Sequence, residues 1–254
     1  MVSTPTATDH TNSNSNLTSI LSIESLDPNL YRGVSPIFPR YGRVYGGQTV
    51  AQALVAAGRT VQPYYILHSL HSYFIRPGND DIPILYSVDR ARDGQSFCTR
   101  RVAGIQNGKT IFTMEVSFQR YEYGLSHQYT MPSVPTPDSI VDWNIVRNRY
   151  KDDKRFHSSF RALAKISLQM PFQMDLRRIS PIDMDEFLNA ANSPRQLMWM
   201  KCHDKLSDDR VLHQCALAYM SDFALLETSV ICHGTHWYDK HISVLNILLY
   251  DMHY

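Results

Sequence analysis

The sequence predicts an α+β fold in which antiparallel strands curve around one buried helix, and it predicts that this unit occurs twice. Three observations lead there. Residues 47–61 carry small apolar side chains at helical spacing. A run of strand-like segments follows, with a hairpin signal between the last two. A similar helical pattern returns at 212–226, in "LHQCALAYMSDFALL", as a weak internal repeat.

The first helix is the clearest element. Val50, Leu54, Ala57 and Val61 fall on one stripe, and Ala51 and Val55 broaden it. Small inward side chains suit close packing on a sheet. Gly46-Gly47 at the helix start allows close backbone approach and leaves N–H groups open for a ligand. Residues 66–78 are rich in aromatic and aliphatic side chains and stop at Pro77-Gly78. Residues 83–91 alternate, with Ile84, Tyr86 and Val88 on one face, and Asp93-Gly94 marks a turn. Residues 96–106 and 109–119 flank Asn107-Gly108, a type I′ hairpin signal. In the second of these strands Phe112, Met114, Val116 and Phe118 share a face. A sheet wrapped around a central helix is the economical way to bury these faces.

Beyond Tyr121 the sequence turns loop-like, with Pro132, Pro135 and Pro137. A charged helical stretch covers 144–167, and strand character returns at 172–180 and 196–204. The expected division is a disordered leader at 1–17, a first unit at 18–120, a linker with a helix at 121–165, and a second unit at 166–254. If the repeat holds, several strands should follow the second helix. Only residues 231–254 follow Val230, so the second unit is expected to be incomplete and to leave an open sheet edge.

Composition bounds the function. The chain has 254 residues, with 25 basic and 24 acidic side chains and a net charge of +1. That balance argues against a dedicated nucleic-acid partner. No apolar run reaches membrane-spanning length. The start is polar and lacks the apolar core of a signal peptide. Cys98, Cys202, Cys215 and Cys232 show no Cys-x-x-Cys spacing, so free thiols in an intracellular protein are expected.

The strings "YGGQTVAQALVAAGRTV", "HSLHSYFIRPG" and "RDGQSF" resemble the acyl-CoA thioesterase II family, which includes bacterial thioesterase B and the peroxisomal acyl-CoA thioesterases. The resemblance is densest over 45–137 and returns at "MWMK" and "LHQCALAYMSDFALL". It implies a double hotdog, here with the second hotdog incomplete, and hydrolysis of acyl-CoA to a fatty acid and CoA without a cofactor. It also implies a site in which an Asp, a Thr or Ser, and a Gln together activate a water. The Asp of the Tyr-x-Ser-Asp string is Asp222; by offset Asn246 falls at the Thr or Ser position; the Gln has no counterpart. Peroxisomal relatives often end in Ser-Lys-Leu, and this chain ends Asp-Met-His-Tyr, so peroxisomal matrix and cytosol both stay open.

The chemistry fits these residue types. A thioester releases a thiolate, a good leaving group, so an activated water and an oxyanion site matter more than a strong general acid. Asp222 is the candidate base, with a helix cap as its alternative role. Candidate substrate contacts are the N–H groups of Gly46 and Gly47, the amide of Gln48, His68 within its motif, and Arg100 and Arg101 for the CoA phosphates. Gln48 and Gln52 also suit a tie between helix and loop, and the arginines, Arg92 included, a solvated strand face. His68 and His71 point to opposite faces of an unbroken strand, and His233-x-x-His236 lacks a third ligand, so no metal is expected. Two functions compete: an acyl-CoA thioesterase with acyl-CoA as its partner, its activity expected to be impaired by the missing C-terminus, and a catalytically inactive truncated isoform that binds acyl-CoA or pairs with a complete subunit. Self-association as a homo-oligomer is compatible with both.

Overall fold

The computed structural model describes residues 16–35, 42–155, 158–169, 174–179, 195–225, 228, 229, 232 and 250–253. The chain opens with a short helix, α1 (Leu17–Leu21), whose N-terminus is capped by Asn16: its Oδ1 accepts from the Ser19 N–H at 2.8 Å. Leu17, expected in the leader, is buried with Ile20 and Leu21, and residues 1–15 of that expected leader lie outside the described residues. Two short strands follow, β1 (Glu24–Asp27) and β2 (Leu30–Gly33).

Helix α2 (Gly46–Gly58) is the core of the molecule. Ala51, Ala53, Ala56 and Ala57 are all fully buried. A helix apolar on one stripe has one covered side; a helix buried all round has two. Here β2, β4, β5 and β6 cover one side and a later helix covers the other. The four expected strands are β3 (Tyr65–Phe74), β4 (Ile84–Asp93), β5 (Phe97–Gln106) and β6 (Lys109–Arg120). Asn107 and Gly108 take the left-handed φ values of 49° and 70° that the β5–β6 turn requires. Strand β3 stops at Phe74, short of residue 78, because the N–H groups of Ile75 and Arg76 both turn to the Ile111 carbonyl.

The segment before the second unit is fastened to it. Asp142 caps α3 (Trp143–Tyr150), and α4 (Ser158–Gln169) follows. Strands β7 (Met174–Arg178) and β8 (Met198–Cys202) pair antiparallel as a two-stranded sheet. Arg177 donates to the carbonyls of Pro137 and Ile140, Trp199 Nε1 donates to that of Pro135, and the Arg178 guanidinium stacks 4.2 Å over the Trp143 ring.

Helix α5 (Arg210–Ser221), capped by Asp209, is the second helix of the repeat. It ends five residues earlier than the periodicity predicts, and Ala224 nearby has a φ of 62°, which a continuing helix excludes. The last strand, β9 (Tyr250–His253), pairs with β3, with Leu70 opposite Met252. The large sheet is therefore seven-stranded and antiparallel, in the order β1-β2-β4-β5-β6-β3-β9. Residues 250–253 join this first sheet, whereas the sequence reading placed them in the second unit. Among the described residues no helix is long and apolar enough to cross a membrane.

Candidate active site

Asp222 is the C-cap of α5, with φ −73° and ψ −18°, and it is half-buried. Helices α5 and α2 lie side by side on small residues, so their backbones come close. The C-terminal end of α5 meets the N-terminal end of α2. There the Gly47 N–H donates to Asp222 Oδ2 at 3.0 Å, and the Tyr45 hydroxyl donates to the Tyr219 carbonyl at 3.0 Å. The Tyr45 and Tyr219 rings pack edge to face, centroids 5.1 Å apart. A helix N-terminus offers unpaired N–H groups and positive potential, both of which favour a carboxylate.

The two glycines are what permit this approach. A Cβ on Gly46 would stand 2.7 Å from Asp222 Oδ2 and 3.1 Å from the Phe74 ring. A Cβ on Gly47 would stand 2.2 Å from the Tyr219 carbonyl oxygen. The expected close approach is thus to the second helix. The Gly47 N–H, read from the sequence as open for a ligand, is occupied by the carboxylate.

The other sequence candidates separate. The Gln48 Nε2 donates to the Val34 carbonyl and to Ser35 Oγ, which makes it a tie between helix and loop. Gln52, one turn on, does the same for Ile20 and Val34 and accepts from the Tyr86 hydroxyl at 2.9 Å. Arg100 is the clearest correction. Its side chain is buried and all five of its N–H donors are engaged, by Thr60, Asp93 and the carbonyls of Arg92 and Thr99. It cannot turn to a phosphate, and it is not a solvated strand face. Arg101 is exposed and 3.4 Å from Glu115, a screened surface pair. His68 sits at a β-bulge, between Leu67 and Ser69, with its ring edge-on to Phe97. The bulge breaks the alternation on which the opposite-face reading of His68 and His71 depended. His233, His236 and Asn246 lie outside the described residues.

The thiols are poor nucleophile candidates. Burial pushes Cys98 and Cys202 up, and pushes Cys215 up to about 12, so each stays protonated near neutrality. Burial, then Cys202 and Asp222, raises Tyr219 above the usual tyrosine range, which keeps its hydroxyl neutral. A recess of about 150 Å³ opens at the far end of the helix pair, walled by Leu54, Gly58, Val61, Leu67 and Val211 among others, and no carboxylate or histidine lines it. Tyr45 and Phe74 complete that end and were not singled out in the sequence. Their signal was slight: an aromatic directly before Gly-Gly, and an aromatic closing a strand.

A buried helix wrapped by an antiparallel sheet, with a second helix laid along the first, defines a protein of the hotdog class. The fold matches a conserved protein with a hot dog fold from Alicyclobacillus acidocaldarius, at a TM-score of 0.58 over 85% of this chain and 71% of that one. Residues 34–119 match the family model of the acyl-CoA thioesterase N-terminal domain, and residues 172–248 match that of acyl-CoA thioesterase. The chain belongs to the acyl-CoA thioesterase family. It is 37% identical over 224 residues to mouse acyl-coenzyme A thioesterase 8, covering 87% of this chain and 69% of that protein. It is 32% identical to acyl-CoA thioesterase 2 of Haemophilus influenzae, covering 91% and 78%. Among solved structures, acyl-CoA thioesterase II TesB2 from Mycobacterium marinum is 36% identical, at a TM-score of 0.61 over 84% of this chain and 69% of that one.

Proposed function

We propose that this chain hydrolyses fatty acyl-CoA to a free fatty acid and CoA, with Asp222 as the base that activates the attacking water. The observation that carries the reading is the Asp222 carboxylate, half-buried and fixed at the start of α2 by the Gly47 N–H. One carboxylate oxygen is tied to the backbone, which holds the group in place while a water docks beside it. The water gives its proton to the carboxylate as its oxygen attacks the thioester carbonyl. The C–S bond then breaks, and the departing sulfur takes the proton back. The family membership and the acyl-CoA thioesterases among its relatives support the substrate class. A yeast relative, peroxisomal acyl-coenzyme A thioester hydrolase 1, 33% identical over 128 residues, supports a peroxisomal setting.

The test is release of free CoA from medium- and long-chain acyl-CoA by the purified protein. Asp222→Asn keeps an acceptor for the Gly47 N–H and removes the base, so it should lower kcat by about 10²- to 10⁴-fold. Wild-type turnover that survives this change would sink the assignment of Asp222. Absence of turnover in the wild type would favour the inactive, acyl-CoA-binding alternative.

A further inference from the structure

Ser72 carries a polar group that the fold itself leaves unused. The residue is fully buried on β3, and its Oγ has no hydrogen-bond partner among the described residues. Such a hydroxyl costs stability that an alanine in the same place would not. It lies at the heart of the sheet, so either it is a packing defect or something absent from the folded chain completes it.

Its position decides what that is. Beyond the bulge at His68, alternation along β3 puts Leu70, Ser72 and Phe74 on the face turned to the helices. The Phe74 ring is 3.1 Å from the point where a Cβ on Gly46 would stand, and Asp222 Oδ2 is 2.7 Å from that same point. Ser72 lies one strand repeat before Phe74, about 7 Å along the strand. Helix α5, which ends in Asp222, packs on this strand as well as on α2. The orphan hydroxyl thus lies on the strand face against which the helix carrying the carboxylate packs.

We propose that Ser72 is a second polar contact for the water that Asp222 activates. The proposal rests on the thioesterase reading above. One water hydrogen passes to the Asp222 carboxylate. Ser72 Oγ accepts the other in a hydrogen bond and so turns the oxygen lone pair toward the carbonyl carbon. The new C–O bond forms, the C–S bond breaks, and the proton held by Asp222 leaves on the sulfur. Ser72 forms no covalent bond and carries no charge at any stage.

The test pairs kinetics with thermal unfolding of the whole chain. Ser72→Ala should lower kcat about tenfold or more with KM within about twofold, the mark of an interaction made in the transition state. Its melting temperature should stay level or rise, since the unpaired hydroxyl is gone. A purely structural Ser72 predicts the rise with kcat unchanged, and that result overturns the proposal while leaving the thioesterase reading intact. If Ser72→Ala lowers the melting temperature, Ser72→Cys decides: reduced kcat with wild-type melting supports the proposal, and wild-type kcat overturns it. A wild-type chain that releases no CoA removes both readings together.

Discussion

At the scale of single residues, the molecule depends on atoms that are missing. Gly46 and Gly47 have no Cβ, and the space this frees is filled by Asp222, Phe74 and the Tyr219 carbonyl. Gly47→Ala places a methyl 2.2 Å from a backbone oxygen that cannot swing away. It should cost about 1–3 kcal/mol, the usual price of overpacking, measurable by urea unfolding, and it should lower turnover by pushing the carboxylate off its N–H donor. A variant of wild-type stability and turnover would show that the helices can part there at no cost. The Gly-Gly pair itself was readable in the sequence; its partner was not. A glycine announces close approach but carries no address, and here the approaching group comes from 175 residues away.

At the scale of elements, the strands were the most legible part. The hairpin at Asn107-Gly108 and the alternating Phe112, Met114, Val116 and Phe118 fixed both the turn and the buried face. Helix α2 was legible as a helix but not as one buried on every side, because Ala patterns do not distinguish one covered face from two. Arg100 was misread for a related reason: the sequence shows a charge on a strand, while its five partners come from β4, β5 and the turn after α2. Helix α5 brings a pH signature with it. The Cys215 thiol has a folded pKa of about 12 against an ordinary 9.0. Below pH 9 both folded and unfolded thiols are protonated and the stabilisation is fully present. As pH rises from 9 toward 12 only the unfolded chain releases the proton, so stability falls. Tyr219 and Tyr86, both raised by burial, act in the same direction. Thermal melting should therefore decline on the alkaline side, less steeply in Cys215→Ala than in the wild type; parallel curves would contradict the buried, protonated thiol.

At the scale of the whole molecule, neither half is closed on its own. The sheet covers α2 from one side and α5 from the other, so residues 16–120 alone would expose the apolar Ala-rich face that α5 buries. That fragment should bind more hydrophobic dye and form larger species in sedimentation measurements than the full chain does. A monodisperse fragment that binds no dye would mean the second unit is dispensable for the core. The repeat was visible in the sequence as two similar helices. Their antiparallel contact was not, since nothing in a periodic pattern says which helix ends will meet. The destination of residues 250–253 was equally hidden: a strand at the end of a chain carries its alternation but not the edge it will choose.

The hydrogen bond from Gly47 to Asp222 has a temporal meaning as well as a spatial one. The chain is made from its N-terminus, so strands β1–β6 and α2 emerge from the ribosome while α5 is still unmade. During that interval the start of α2 waits with its donor unmatched. The carboxylate arrives late, and only with the helix that seals the core. The contact between the two helix ends therefore forms only when both halves of the chain exist, so a half-made chain lacks the arrangement in which the proposed base is held.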